Sequence, residues 1–235
     1  MKLVSWNLRG LNSPGKCRML KNMIKMENPQ ICFLQETKCN STTLGRILSK
    51  AWPGCRSVAV DATGASGGLA IAWNTQAVTL IDFHASHHLI QAAFHILGTN
   101  IHGNLSNVYF SQDSGSKRAL LDTIEALSTN RQHPFWIAAG DFNMITKIED
   151  KIGGRSRLEP EVDRFKDFIH NASLIDMPFC NGTFTWSNRR GGKHQIASKL
   201  DRFLISDNAV HLGGDLTAAI LAHSGSDHWP IALQW

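Results

Sequence analysis

The residues able to do chemistry in this chain stand singly or in pairs behind apolar runs, from one terminus to the other. Asn7 closes Leu3-Val4-Ser5-Trp6-Asn7, and Glu36 follows Ile31-Cys32-Phe33-Leu34-Gln35. Asp141 and Asn143 lie in Gly140-Asp141-Phe142-Asn143, directly behind Phe135-Trp136-Ile137-Ala138-Ala139. Asp201 interrupts Leu200-Asp201-Arg202-Phe203-Leu204-Ile205, and Asp227-His228 sit in Ser226-Asp227-His228-Trp229-Pro230 ahead of the last apolar run. Polar groups at strand ends of a layered α/β domain converge on one edge, where loops carry function. A carboxylate emerging from a buried strand is costly without a partner. Asp201 therefore needs one, and His228 is the natural candidate, in a pair that fixes the imidazole tautomer and favours its protonated form. Carboxylates, amides and one histidine brought together suit a hard divalent metal and a phosphate.

The elements that must position these groups are legible from periodicity. Cys17, Leu20 and Ile24 recur at helical spacing, as do Leu44, Ile47 and Leu48. Further helices are marked by Leu120, Ile124 and Leu127, and by Val162, Phe165, Phe168 or Ile169, and Ala172. Strand-like runs cover Ile31 to Leu34, Ser57 to Val60, Leu69 to Trp73, Val78 to Phe83, Leu89 to Ile96, Val108 to Phe110 and Phe135 to Ala139. Four more follow, over Phe184 to Trp186, Leu200 to Ile205, Leu216 to Leu221 and Ile231 to Trp235. Gly64, Gly67 and Gly68 punctuate a hairpin; no Lys-Ser/Thr completes a phosphate loop there. Strands come both as consecutive hairpins and as βα units. That pattern predicts an α/β (α+β) architecture of two mixed sheets packed together with helices outside, within one domain over residues 1–235.

The bulk numbers bound the rest. A chain of 235 residues with 43% hydrophobic and 18% charged residues is globular and buries a substantial core. A net charge of +5 and a pI near 9.1 permit a polyanionic partner without establishing one. The basic groups Arg155 with Arg157, and Arg189-Arg190 with Lys193, fall in loops. Five cysteines without a CxxC spacing point to a reducing compartment rather than a disulfide framework or structural zinc. The first strand begins by Leu3, which leaves no room for a signal peptide, and no run approaches the ~20 apolar residues of a membrane helix. An intracellular protein is expected, with no membrane partner. His87, His88, His102, His133, His194 and His223 have no motif around them and read as ordinary polar residues.

Taken together, the motifs resemble the endonuclease/exonuclease/phosphatase superfamily, whose members include DNase I-like nucleases and apurinic endonucleases. Within it the chain most resembles the endonuclease domain of plant LINE-type (non-LTR) retrotransposons and standalone plant proteins derived from them. The residues that carry this are Ser5-Trp6-Asn7-Leu8-Arg9-Gly10-Leu11-Asn12, Gly153-Gly154-Arg155, Leu174-Ile175-Asp176 and Gly182-Thr183-Phe184-Thr185-Trp186-Ser187-Asn188. All of them fall in family order, over nearly the whole chain. The chain departs from the family at Ser111-Gln112, where a Pro and an Asn commonly follow the tyrosine.

The resemblance implies a DNase I-like four-layer sandwich and a Mg2+-dependent phosphodiesterase (Mn2+ as the alternative ion), most simply a monomeric endonuclease that nicks DNA, with the nucleus as a plausible site of action. Glu36 is implied as the principal metal carboxylate, with Asp227 and Asn7 around the same ion. Asp141 is similar to the acid that positions or deprotonates the attacking water, and Asn143 to a donor to the scissile phosphate. His228, oriented by Asp201, is similar to the histidine that binds or polarises that phosphate, and Tyr109 resembles a phosphate-contacting tyrosine. Thr185 and Ser198 match positions that face the DNA backbone, and Arg155 is a further phosphate contact. Asp176 reads as structural. Fold-level likeness leaves two rivals: a phosphatase or phosphodiesterase for a lipid, a sugar phosphate or RNA, and a catalytically silent remnant of a mobile element.

Overall fold

Apolar residues alternate along the first strand, and that alternation builds the layers. Leu3 faces one side and Val4 and Trp6 the other, and all three are buried, so the strand has a packed layer on both faces. The computed structural model describes residues 1–64, 66–129, 135–154, 158–209, 215–222 and 225–235. Its order is β1 (Lys2–Asn7), α1 (Pro14–Glu27), β2 (Ile31–Gln35), α2 (Ser41–Ala51), β3 (Cys55–Thr63), β4 (Ser66–Asn74), β5 (Val78–Ser86), β6 (Leu89–Ile96), β7 (His102–Tyr109) and α3 (Ser114–Thr129). Then follow β8 (Trp136–Asp141), β9 (Lys151–Ile152), α4 (Val162–Asn171), β10 (Leu174–Asp176), β11 (Trp186–Ser187), β12 (Ala197–Ser198), β13 (Asp201–Ser206), β14 (Thr217–Ile220) and β15 (Ile231–Gln234).

Two six-stranded mixed sheets result, in the orders β14-β15-β1-β2-β4-β3 and β10-β13-β8-β7-β6-β5, with a small sheet β11-β12-β9 beside them. Their inner faces share one core, in which Leu3, Phe33 and Ile71 of the first sheet meet Ile90, Leu105, Ile137 and Phe203 of the second. Helices α1 and α2 cover the outside of the first sheet through Leu20, Ile24, Leu44 and Leu48 on Trp6 and Leu34. Helices α3 and α4 cover the second through Leu121, Ile124, Phe165 and Phe168 on Trp136 and Leu204. The fold is thus the expected four-layer sandwich. Local signals start the first two helices: Ser13 and Asn40 cap them by accepting from Lys16 N and Thr43 N, and Pro14 opens α1. Among the described residues no helix is long and apolar enough to cross a membrane.

The structure adds to the elements expected from sequence. Strand β7 begins at His102 rather than near Val108, because its inward and outward positions carry Ser106 and Asn107, polar residues satisfied inside the protein. Ser106 Oγ accepts from Trp136 Nε1 at 2.9 Å. Asn107 Nδ2 donates to Ala70 O at 2.8 Å in the opposite sheet. Strands β9, β10 and β12 have two or three residues each, too short to show a period. Asp176 is structural, as expected: it pairs with Lys199 and Arg202.

Two parallel pairs aim the site. β1 runs parallel to β2 with Asn7 opposite Gln35, and β7 runs parallel to β8 with Tyr109 opposite Asp141. The carboxyl ends of both pairs therefore meet at one edge of the sandwich, the usual place for a site in a layered α/β fold. Gly140 makes this possible just before Asp141. It has φ +144, and a Cβ there would strike the Val108 carbonyl oxygen on β7. Gly140→Ala is expected to cost about 2–4 kcal/mol through backbone strain and overpacking. Urea unfolding measures it, and an unchanged midpoint would contradict this account of the β7–β8 contact.

Candidate active site

Strand parity brings the polar residues together. In β1, Leu3 faces the inner core, so Asn7, two pleats on, faces inward at the strand end; the same parity turns Asp141, Asp201 and Tyr109 inward. A polar layer supports them from below. Gln35 Nε2 donates to Ser5 Oγ at 3.0 Å and to Asn107 Oδ1 at 2.7 Å, which ties the two sheets under the site.

The most buried part is a proton network. His228 Nδ1 lies 2.9 Å from Asp201 Oδ2, and His228 Nε2 faces Asp141 Oδ2 at 3.7 Å. Burial alone would lower the imidazole pKa, but the charges of Asp201 and Asp141 outweigh it and raise it to about 9. Burial pushes the Asp141 carboxyl well above the ordinary range; the His228 charge opposes this and Asp201 reinforces it. The histidine backbone is held at both ends. Its carbonyl accepts from Trp6 Nε1 at 3.2 Å and its N–H donates to Ser226 Oγ at 3.2 Å, while Ser226 Oγ donates to Asn7 O at 2.9 Å. Asp201 N and Leu200 N both donate to Thr185 Oγ1, at 2.9 and 3.0 Å.

Beside this network stand the two outer carboxylates. Glu36 is 3% exposed and adopts φ +46, a strained conformation for a residue with a side chain and one that clusters at functional sites. Burial opposes its ionisation, yet hydrogen bonds from Arg9, Asn7 and Lys38, with the Arg9 charge, hold its pKa below the usual value. Asp227 Oδ2 accepts from Trp186 Nε1 at 3.0 Å, and its Oδ1 is buried without a hydrogen-bond donor. Arg9 spans both acids, with Nη1 2.9 Å from Glu36 Oε1 and Nε 3.2 Å from Asp227 Oδ1, the second an ion pair off the hydrogen-bond axis. Lys38 Nζ lies 3.2 Å from Glu36 Oε2. Hard oxygen donors that already share one cation, with an orphaned carboxylate oxygen between them, fit a hard divalent metal ion. Asp141, Asp201 and His228 also place ligating atoms within 4.8 Å of one another, a second buried group of metal-ligating side chains.

Asn7 joins the two halves. Its Nδ2 donates to Glu36 Oε1 at 3.1 Å and to Asp141 Oδ2 at 2.9 Å, while its Oδ1 accepts from Arg9 N at 3.1 Å. The sequence pointed to Asn7 as a metal ligand. In the metal-free structure its nitrogen points toward the carboxylates and ties Glu36 to Asp141. Asn143, at φ +44, sits next to Asp141: its N–H donates to Asp141 Oδ1 at 2.9 Å, and its Nδ2 reaches Phe110 O at 2.7 Å and Asp141 Oδ2 at 3.3 Å. Tyr109 is at the site despite the departure at Ser111-Gln112. Burial raises its phenol pKa, with Glu36 and Asp141 adding to the effect, the former also through a hydrogen bond.

Two expected DNA-facing residues are corrected. Thr185 is 0% exposed and its hydroxyl is taken up by the two backbone N–H groups that position Asp201. Ser198 is 4% exposed, inside the small sheet between Trp186 and Lys151. Thr185 thereby supports the strand end that carries Asp201. Arg155 lies outside the described residues. Four contributors went unnoticed in the sequence: Arg9, Lys38, Trp186 and Ser226. Arg9, Trp186 and Ser226 lie inside the motif segments; closeness in sequence to Asn7 and Asp227 was a signal for Arg9 and Ser226, while Trp186 is 41 residues from Asp227.

The fold matches that of the AP endonuclease LMAP from Leishmania major, with TM-score 0.76 and 16% identity over 99% of this chain and 86% of that one. It also matches a 3′ phosphatase, NExo from Neisseria, solved with its product DNA hairpin (TM-score 0.75, 19% identity, 100% and 99% covered). A third match is the endonuclease domain of TRAS1, a telomere-specific non-LTR retrotransposon (TM-score 0.73, 18% identity, 99% and 96% covered). At these identities the likeness is one of fold. The profile of a single family matches residues 4–228, a span that contains Asn7, Glu36, Tyr109, Asp141, Asn143, Asp201, Asp227 and His228. On that match the chain belongs to the Endonuclease/Exonuclease/phosphatase family.

Proposed function

We propose that this chain is a Mg2+-dependent phosphodiesterase that nicks DNA as a monomer, an endonuclease of plant LINE-type retrotransposon origin. The observation that carries the reading is the joining of two chemical halves by one amide: Asn7 donates to Glu36 and to Asp141 alike. Glu36 and Asp227 would hold the ion, which when bound lowers the pKa of water and offsets phosphate charge. Asp141, poised by burial, accepts the proton of the attacking water. His228, kept protonated and oriented by Asp201, donates from Nε2 to a phosphate oxygen. The Tyr109 hydroxyl and the Asn143 amide supply further donors beside the same carboxylate. Exposed Arg189, Arg190 and Lys193 lie between β11 and β12, on the stretch that brings Trp186 to Asp227, and suit backbone phosphates on either side of a cut. The motif set and the shared fold with a retrotransposon endonuclease domain support the origin.

Supercoiled plasmid incubated with purified protein tests this. Nicked circles are expected with Mg2+ and none with EDTA, and nicking that persists in EDTA would sink the metal-dependent reading. Salt gives an independent check. Two phosphate contacts alone lower DNA affinity about tenfold between roughly 50 and 200 mM salt, so binding measured by anisotropy should fall at least that much. A flat salt response would contradict backbone recognition. A second reading has one observation in its favour, the fold shared with a 3′ phosphatase. Release of inorganic phosphate from a monoester, without nicking, would support it.

A further inference from the structure

Both carboxylates assigned to the metal are already bridged by a cation of the chain itself. Arg9 meets the two acids through separate nitrogens, Nη1 on Glu36 and Nε on Asp227. An arginine forked onto one carboxylate makes the strong two-bond pair. Here each acid has one contact, and the Asp227 contact is off axis. The Arg9 side chain is 41% exposed against 4% for that of Glu36, so its head is the replaceable partner. Its root is fixed. Arg9 has φ +50, its N–H is held by Asn7 Oδ1 at 3.1 Å, and its carbonyl accepts from Lys16 Nζ at 2.9 Å. The side chain can swing while the strand end stays in place. Lys16, Lys38 and Arg189 lie in the same field: after burial, the charges of Lys38, Arg9 and Arg189 lower the Lys16 pKa against the pull of Asp227. Cations thus surround two acids, and a polyanion is the ligand that such an excess suits.

We infer that Arg9 is a metal-displaced phosphate ligand, standing between Glu36 and Asp227 in the metal-free protein and turning onto the substrate phosphate when a divalent ion takes those acids. The inference rests on the metal-dependent reading above and goes beyond it by naming a residue that serves both states. In the metal-free state Arg9 offsets the repulsion of two neighbouring carboxylates. In the loaded state the same displacement delivers a planar, permanently charged donor to the phosphate.

Calorimetric titration of the full chain with Mn2+ alone, without DNA, separates the possibilities. Arg9→Gln is expected to bind Mn2+ about 5- to 30-fold more tightly than the wild type, the ordinary size of a coupling between two ligands. Arg9→Lys is expected in between, since a lysine reaches one acid as a point charge. Glu36→Gln should lose binding. With saturating Mn2+, Arg9→Gln should nick plasmid with kcat/KM about 10- to 100-fold lower, the worth of one charge-assisted hydrogen bond. Equal or weaker Mn2+ binding by Arg9→Gln, with wild-type binding intact and lost in Glu36→Gln, overturns the inference and leaves the metal site standing. Binding absent from both wild type and Arg9→Gln, or unaffected by Glu36→Gln, overturns both. Tighter binding with unchanged kcat/KM overturns the transfer of Arg9 to the phosphate.

Discussion

Asp141→Asn is expected to reduce plasmid nicking by about 10³-fold or more while leaving the fold intact. The carboxylate sits where the two halves of the site meet, with Oδ2 2.9 Å from Asn7 Nδ2 and 3.7 Å from His228 Nε2. Its replacement removes the proton acceptor for water, worth on the order of 10²–10⁴ by itself, and turns a donor toward Asn7 where an acceptor stood. Stability should move the other way. Burial raises the Asp141 pKa above its unfolded value of 3.8, so its ionised form costs the metal-free protein stability at neutral pH. An uncharged isostere relieves that cost, and the metal-free Tm should be unchanged or higher. Loss of activity with a lowered Tm would mean that Asp141 is chiefly structural. Retained nicking would mean that the base lies elsewhere.

The second large effect belongs to Asp201→Asn. Asp201 is 1% exposed, donates its backbone N–H to Thr185 Oγ1, and meets His228 Nδ1 at 2.9 Å. Burial lowers the imidazole pKa and the Asp201 charge is the first of the groups that oppose it, so the variant's imidazole is expected to lose its proton at a lower pH than the wild type's. Nicking is expected to fall on the order of 10²–10⁴-fold, as for loss of an orienting acid. A merely structural role would leave the histidine's titration unmoved, so the decisive readout is the His228 ring followed by NMR in the metal-free protein. The wild-type imidazole should stay protonated to about pH 9, and the variant should titrate well below that. The sign for stability follows. A folded pKa of about 9 against 6.5 unfolded gives a contribution fully present below pH 6.5 and lost as pH rises through 9. Asp201→Asn should abolish that alkaline loss.

The layered fold and the convergence of the site were readable from the sequence because both depend on period-two alternation. Once Leu3, Phe33 and Ile137 are core, Asn7, Gln35, Asp141 and Asp201 are bound to fall on the same inner faces at strand ends. What escaped was decided by three-dimensional context. Ser106 and Asn107 disguised most of β7, since their polarity is satisfied only across the core by Trp136 and by the backbone at Ala70. The resemblance alone places Thr185 against DNA, and the backbone N–H groups of Leu200 and Asp201 that its hydroxyl accepts from are distant in sequence. The amide of Asn7 could have faced either way, and only the two acceptors beside it decide that its nitrogen points in. Arg9 is one basic residue among 24 Lys and Arg, and no spacing distinguishes a solvated guanidinium from one wedged between two acids.

The central claim is that Glu36 and the Asp141–His228–Asp201 network form one metal-dependent centre for DNA phosphodiesters. It is tested most directly by initial rates on supercoiled plasmid and on a 3′-phosphorylated DNA hairpin, side by side, for wild type and Glu36→Gln in Mg2+. The account predicts that wild-type protein nicks the plasmid much faster than it releases phosphate, and that Glu36→Gln loses nicking while remaining folded. Phosphate release without nicking, or nicking undiminished in Glu36→Gln, would contradict it.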